Sequence, residues 1–405
     1  MVQEDFEKMN LSGKCVVLGV TGSIAAYKIA DVASQLRKDG ADVHVIMTKN
    51  ATNFIGPQTF ETLTNNRCIV DQFDRDYKFE VTHISLAKAA DVILVAPATA
   101  NIIAKMAHGI ADDMLSTVVL AARCKKIVSP AMNTAMLENP ITQDNISTLK
   151  KYGMTVIEPA CGVLACKDVG SGKLPNPEVL LEYIYKEISH EKDLAGKKVL
   201  VTAGPTREPM DPVRFITNHS TGKMGYAIAR AAAMRGAEVS LVHGDTALES
   251  VRFTEDVPVM TAEEMFKAVE SRFDDTDIYI SAAAVADYRP SVVADQKIKK
   301  KDDDMSVSLE RTKDIIGTLG AKKTKQFICG FAMETENLLE NAKDKLKRKN
   351  MDMIVANSLR TEGAGFGGST NVVTIITPEK AVELPLMEKS EVADRLLDAI
   401  LSYRV

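Results

Sequence analysis

A thiol, Cys166, sits in a glycine-rich run (160–172) that also holds Gly162, Gly170 and Gly172. Glycines at that density let a backbone approach a ligand closely, and a loop-borne thiol is open to chemistry that a core thiol is not. Asn133 follows an apolar run and a proline in PAMNTAM (130–136). An amide there can be aimed at a carboxylate, although asparagine is also an ordinary loop residue. His83 stands alone in 82–88, either as an acid/base group or as a satisfied polar group. Thr21-Gly22-Ser23 ends an apolar run and opens a helix, where backbone N–H groups and a hydroxyl can seat a phosphate. An ordinary strand-to-helix turn reads the same way.

The second half has its own candidates. An insertion after the strand near 200 carries Asn218 and Ser220 and offers an anion several N–H groups. The strand 277–280 runs into Ser281, Ala282 and Ala283 and on to Asp287. The alanines let a ligand lie against backbone, and Asp287 can hold a sugar hydroxyl or a metal. Lys297 begins a basic block that Asp302, Asp303 and Asp304 follow, a pattern that is usually a solvated loop. Lys345 and Lys349 lie one helical turn apart, a shared face that suits a triphosphate or simply water.

The elements that must position these groups are written twice. Residues 14–48 and 197–244 each contain an apolar run, a Gly/Ser/Thr turn, a helix of small residues, Gly-Ala-acid-Val and a second apolar run. That is the opening β-α-β of a doubly wound sheet. The fold expected is α/β, two Rossmann-like domains with mainly parallel sheets, flavodoxin-like in the N-terminal domain. Domain bounds of 1–189 and 196–405 follow, joined by a short polar linker, 190–195. In the first copy no G-x-G-x-x-G is present, and the second strand ends in Thr48-Lys49 with no acid for a ribose diol. A ligand with one phosphate fits better than a dinucleotide. In the second copy a Walker A loop on Gly222-Lys223 would need glycine at Thr217 and Ser or Thr at Met224, which argues against a P-loop ATPase.

A formal net charge of −5 gives no global pull toward nucleic acid. The six cysteines form no C-x-x-C pair and no close Cys/His set that looks like a zinc site, which argues for a reducing compartment and assigns no metal ligands. No apolar stretch reaches the ~18 residues of a membrane span, and the first ten residues are too polar for a signal peptide. A soluble cytoplasmic protein is expected.

Gly22-Ser23, His83, APATAN (96–101), PAMNTAM and the Leu164-Ala165-Cys166 flap together resemble the homo-oligomeric flavin-containing cysteine decarboxylases, above all phosphopantothenoylcysteine decarboxylase. The resemblance covers about residues 14–186 and implies bound FMN. By motif, Gly22, Ser23, Thr48, Pro97, Ala98, Thr99, Asn101 and Ser116 would hold it. His83 would be the acid/base residue, Asn133 would hold the substrate carboxylate, and Cys166 would protonate the enethiol. Oxidation of the cysteinyl unit to a thioaldehyde makes an electron sink for loss of CO₂, and return of the electrons leaves the reaction redox-neutral. Lys167, where relatives often have glycine, departs from the pattern.

GPTREPMDPVR (204–214), ITNHSTGKMG (216–225), AAAVADYRP (282–290) and KIKK (297–300) resemble phosphopantothenate–cysteine ligase, from about 196 onward. The whole chain is thus similar to the bifunctional coenzyme A biosynthesis proteins of bacteria and archaea. The resemblance implies activation of 4′-phosphopantothenate by CTP with Mg²⁺, then displacement of CMP by cysteine. Asn218 would contact the acyl-cytidylate and Lys297 would stabilise its conversion. Ser281, Ala282, Ala283, Asp287, Lys297, Lys313, Asp314, Ile315, Ile316, Phe331, Lys345 and Lys349 would bind the nucleotide. A trimer-based decarboxylase with dimeric ligase domains is implied, as are small-molecule substrates and no nucleic-acid or membrane partner. Two alternatives stand beside this. A decarboxylase of peptide C-terminal cysteine has no use for GPTREP or KIKK, and a non-catalytic dinucleotide-binding protein lacks its fingerprint.

Overall fold

The computed structural model describes residues 9–73, 82–163, 169–299, 305–334, 338–358 and 368–404. Cys166, Lys167 and most of the glycine-rich loop 363–368 lie outside the described residues. The chain divides into two compact units, Met1–Glu191 and Lys192–Val405.

The first unit is built on five parallel strands in the order Asp42–Met47, Cys15–Val20, Val92–Ala98, Lys125–Pro130, Thr155–Val156. In chain order this is 2-1-3-4-5, the flavodoxin-like winding that the βαβ pattern predicts. The apolar runs are buried along nearly their whole length, as strands covered on both faces must be. After the first strand the turn does not open one continuous helix. Ser23 caps a short 3-10 segment, Ile24–Lys28, and α geometry then takes Ile29–Lys38. That helix buries Ile29, Val32, Ala33 and Leu36. Each larger aliphatic side chain contributes about 1.5–3 kcal/mol, against about 1 kcal/mol for a cap, so burial decides the helix.

The main sheet of the second unit has eight strands. Its parallel part runs Thr254–Pro258, Glu238–His243, Lys198–Ala203, Ile278–Ser281, Phe327–Glu334, Met353–Ser358, which is 3-2-1-4-5-6 in chain order. This is the Rossmann order. Val373–Ile376 and Ala381–Glu383 extend it antiparallel. Alternation along the strands feeds two cores: Val199, Val201 and Ile280 pack on one side, Leu200 and Tyr279 on the other. Helix Lys389–Arg404 closes the first of these with Val392, Leu396 and Ile400, a stripe at i, i+4 spacing that one helical face presents. Within the polar connector, Leu194 is fully buried and Asp193 pairs with Arg235 of the second unit. No described helix is long and apolar enough to cross a membrane.

Candidate active sites

In each sheet the winding reverses between the first strand and the strand beside it that comes later in the chain. Loops leaving those two strands diverge to opposite faces and open a crevice at the carboxyl ends.

In the first unit the crevice lies between the ends of Cys15–Val20 and Val92–Ala98. Thr21, buried, ties its two lips: its Oγ1 donates to Pro97 O at 2.6 Å and accepts from Thr99 N at 3.1 Å. Thr99 in turn caps helix Ala100–His108, with Asn101 exposed in the first turn. Ala131 N donates to Ala98 O at 3.0 Å, which brings the PAMNTAM turn alongside. Asn133 caps Thr134–Glu138, its Oδ1 accepting from Ala135 N at 2.9 Å, so the carboxamide plane is fixed.

The stem of the thiol-bearing flap, Ala160–Val163 with Val169–Lys173, stands on this turn. Met132 N donates to Gly172 O at 3.0 Å and Thr134 Oγ1 donates to Ser171 O at 2.7 Å. Gly172 has φ +126°, and a Cβ there would lie 2.2 Å from Met132 O. Only glycine permits that approach. The stem therefore docks beside Asn133, while Cys166 itself lies outside the described residues.

Thr48 and Gly22 form the other wall. Thr48 N donates to Val20 O at 2.9 Å, and a Cβ on Gly22 would lie 2.7 Å from Asn50 Cβ. Among the described residues Thr48 Oγ1 is buried without a hydrogen-bond partner. Such an atom costs about 1–3 kcal/mol and calls for an explanation. A phosphate oxygen seated on the Gly22-Ser23 turn would satisfy it, so the residues present fit the flavin monophosphate.

Two assigned residues have other duties or positions. Ser116 is buried in a capping box: Ser116 N donates to Asp113 Oδ1 at 2.8 Å, and Asp113 N donates to Ser116 Oγ at 3.1 Å. The Asp112-Asp113 pair is thus a helix start, bridged by Lys105 at 2.6 and 3.1 Å. Burial pushes the Asp113 carboxyl up, but the Ser116 bonds and Lys105 outweigh it and hold it below its usual value. His83 is half-buried in helix Thr82–Ala89, and among the described residues no hydrogen bond joins it to this group.

In the second unit the crevice lies between the ends of Lys198–Ala203 and Ile278–Ser281. Its lips are zipped: Ala284 N donates to Gly204 O at 2.9 Å, and Ala286 N donates to Thr206 Oγ1 at 3.0 Å. The insertion folds back as an antiparallel pair, Arg207–Pro209 with Phe215–Thr217. Its base is fixed where Thr217 Oγ1 donates to Thr206 O at 2.8 Å and Asn218 Nδ2 donates to Ala284 O at 3.0 Å. A cavity of about 370 Å³ opens there, lined by Arg207, Asn218, Ser220, Lys223, Asp245 and Thr246 among others.

Sequence reasoning missed a clamp. Asp211, its side chain fully buried, accepts from Val213 N and Arg214 N at 2.8 Å each, from Arg214 Nε at 2.9 Å and from Ile298 N at 3.1 Å. Arg214 Nη2 donates to Ile298 O at 2.9 Å. Both backbone groups of Ile298 are gripped, and Lys297 precedes it. The Arg214 guanidinium above all, with these N–H groups, holds the Asp211 carboxyl far below the usual range. Asp-Pro-x-Arg is a legible turn signature; what it grips is not.

The assigned nucleotide residues scatter around the neighbouring strand ends. Ser281 is buried, with its Oγ 3.5 Å from Thr202 Oγ1, and Ala282 and Ala283 are half-buried. Asp287 is exposed. Lys313 Nζ lies 4.5 Å over the Phe266 ring. Asp314 caps Ile315–Lys322 and receives Lys349 Nζ at 3.0 Å. Ile315 is buried in the core, with Ile316 packed against it. Phe331 is half-buried against the other core, and Lys345 is half-buried in Leu338–Arg348.

Comparison with known proteins identifies the family. Residues 5–189 match the family described as Flavoprotein, and residues 194–403 match the DNA/pantothenate metabolism flavoprotein C-terminal domain. The coenzyme A biosynthesis bifunctional protein CoaBC of Bacillus subtilis is 46% identical over 394 residues, 96% of this chain and 97% of the relative. Its Escherichia coli K12 counterpart is 41% identical over 398 residues, 97% and 98% of the two chains. A crystal structure of the C-terminal domain of a CoaBC protein is 48% identical, covers 52% of this chain and 98% of that one, and has a TM-score of 0.45. With two matched domains and near full-length identity above 40%, the chain belongs to the family of coenzyme A biosynthesis bifunctional proteins.

Proposed function

We propose that the chain catalyses two consecutive steps of coenzyme A biosynthesis. The second unit joins cysteine to 4′-phosphopantothenate at the expense of CTP, through an acyl-cytidylate. The first unit decarboxylates the phosphopantothenoylcysteine so formed to 4′-phosphopantetheine, with FMN. The observation that carries the reading is the pair of switch-point crevices, one with the unpartnered Thr48 hydroxyl at its phosphate end and one with Asn218 fixed against the Ala284 carbonyl.

When bound, FMN supplies a reversible two-electron sink. Gly22, Ser23, Thr48, Pro97, Ala98, Thr99, Asn101 and Ser116 would hold it, with Gly22, Ser23 and Thr48 toward its phosphate. Asn133 holds the substrate carboxylate so that CO₂ leaves along a fixed direction. His83 handles the proton on the oxidation side. Cys166 returns a proton to the enethiol from a flap whose stem is anchored at Met132 and Thr134.

In the second unit Ser281, Ala282, Ala283 and Asp287 receive the nucleotide, with Phe331 and the helix start at Asp314, Ile315 and Ile316 beside it. Lys313, Lys345 and Lys349 offset phosphate charge together with Mg²⁺. Asn218 orients the acyl-cytidylate. Lys297, on the loop that Asp211 and Arg214 hold, stabilises the charge that builds as cysteine attacks. The domains are 1–189 and 196–405, the assembly is homo-oligomeric with trimeric decarboxylase and dimeric ligase parts, and the setting is the cytoplasm. The test supplies 4′-phosphopantothenate, cysteine, Mg²⁺ and each nucleotide in turn, with mass spectrometry of products. CTP should give 4′-phosphopantetheine. Cysteine left unincorporated with every nucleotide refutes the ligase step, and amide that keeps its carboxylate on flavin-loaded protein refutes the decarboxylase step.

A further inference from the structure

The amino-terminal edge of the first sheet carries a cluster that neither activity uses. Cys15 and Asp42 open adjacent parallel strands and are direct partners in register. His44 lies two residues beyond Asp42, and a two-residue step along a strand returns the side chain to the same face. Register alone therefore gathers a thiol, a carboxylate and an imidazole. One ligand atom from each lies within 4.8 Å of the others.

The group is also braced. His44 Nε2 lies 3.1 Å from Asp42 Oδ2, and Asn66 Nδ2 donates to Asp42 Oδ1 at 2.8 Å and to Val43 O at 2.9 Å. The carboxylate is thus oriented from behind, as the outer hydrogen bonds of metal ligands do. Asp42 is exposed and the other two half-buried, so an ion has an entry path. Burial first, then Asp42 and Asp91, push the Cys15 thiol up to about 12. A bound dication reverses that balance, since it offsets the carboxylates and takes the thiolate.

We propose that Cys15, Asp42 and His44 form a site for one divalent cation of the borderline-soft class that zinc represents. Sulfur, nitrogen and oxygen donors suit zinc, whereas calcium and magnesium want oxygen alone. Water completes the tetrahedron. As the metal–sulfur bond forms, the Cys15 proton leaves to solvent; no electron moves. Arg37 acts on Asp42 as an opposing cation and limits affinity. The strands are six residues long, so the site lies roughly 16 Å from the crevice at their other ends. Its effect is to pin the first two strands together.

The experiment uses the flavin-loaded full chain, stripped of metal and titrated with Zn²⁺. Calorimetry should report one equivalent per chain. Zinc-edge X-ray absorption should show one sulfur at about 2.3 Å with nitrogen and oxygen at about 2.0–2.2 Å. Cys15→Ser should remove the sulfur shell, and Asn66→Ala, which keeps all three ligands, should weaken binding about tenfold. A first shell without sulfur, or a sulfur shell that survives Cys15→Ser, overturns the proposal.

Discussion

Thr48→Val should move two properties of the first unit in opposite directions. Thr48 Oγ1 is buried at the end of strand Asp42–Met47 with no partner among the described residues. Valine has nearly the same shape and lacks the orphaned atom. Flavin-free protein should therefore gain up to about 1–3 kcal/mol, with roughly 2–4 °C in Tm per kcal/mol for a unit of this size. The same change deletes a hydrogen bond to a charged phosphate, worth about 1.5–3 kcal/mol. FMN affinity should fall by about one to two orders of magnitude. Thermal melts of stripped protein and titration of FMN by its fluorescence read the two effects separately. A packing defect would weaken both together. FMN affinity within about twofold of the parent, or a stripped variant less stable than its parent, refutes the assignment of Thr48 to the phosphate.

Asn133→Asp keeps a good cap on Thr134–Glu138 while placing like charge against the substrate carboxylate. Decarboxylation should fall about a hundredfold or more with ligation intact, and loss of both activities together would contradict separate sites. Asp211→Asn should slow amide formation about tenfold by loosening the loop behind Lys297. Decarboxylation of supplied phosphopantothenoylcysteine should be unaffected. Because the effect runs through Lys297, adding Asp211→Asn to Lys297→Ala should cost nothing further, and simple multiplication of the two losses would reject the positioning role. Arg272 first, then Ser240, hold the Glu255 carboxyl down to about 2 from 4.5. A depressed folded value means stabilisation present above about pH 4.5 and lost as pH falls toward 2. Glu255→Gln should flatten the acid limb of the unfolding profile between those limits; profiles that stay parallel count against the pair.

What the sequence discloses is what neighbours in the chain decide. The apolar runs at 16–20 and 43–47 become strands because their residues are buried on both faces, and Gly40 ends the helix between them with φ +90°. The repeat at 197–244 announces a second winding for the same reason. Long-range pairing is another matter. Asp211 meets Ile298 across 87 residues, and Lys349 meets Asp314 across 35, with no periodicity to signal either. The capping duty of Ser116 is legible in the sequence, since Asp113-x-x-Ser116 is a capping pattern. The break of the first helix into Ile24–Lys28 and Ile29–Lys38 leaves no mark in the apolar spacing, because Ala26 and Ile29 are buried under either geometry.

The two windings share one device and differ in one length. In each, a buried threonine after the first strand ties that loop to the strand across the switch point: Thr21 to Pro97 and Thr99, Thr206 to Ala286. A hydroxyl suits this task because it donates and accepts, and because its own stem is short enough to leave the crevice open. Past the threonine the first unit spends two residues, Gly22 and Ser23, before its helix, which keeps backbone N–H groups near the strand end where a single phosphate sits. The second unit spends sixteen, 207–222, before helix Lys223–Met234. The helix start still comes back to the strand end, since a Cβ on Gly222 would lie 3.4 Å from the Gly204 backbone, and the added length brings side chains: Asn218 against Ala284, and the Asp211–Arg214 clamp on the loop of Lys297. Shortening 207–222 to a two-residue turn should therefore abolish acyl transfer without disturbing the parallel sheet, because strands Lys198–Ala203 and Ile278–Ser281 pair through their own register and not through the insertion. Circular dichroism of the shortened chain would decide it: a collapse of the second unit would mean that the insertion holds the fold as well as the chemistry.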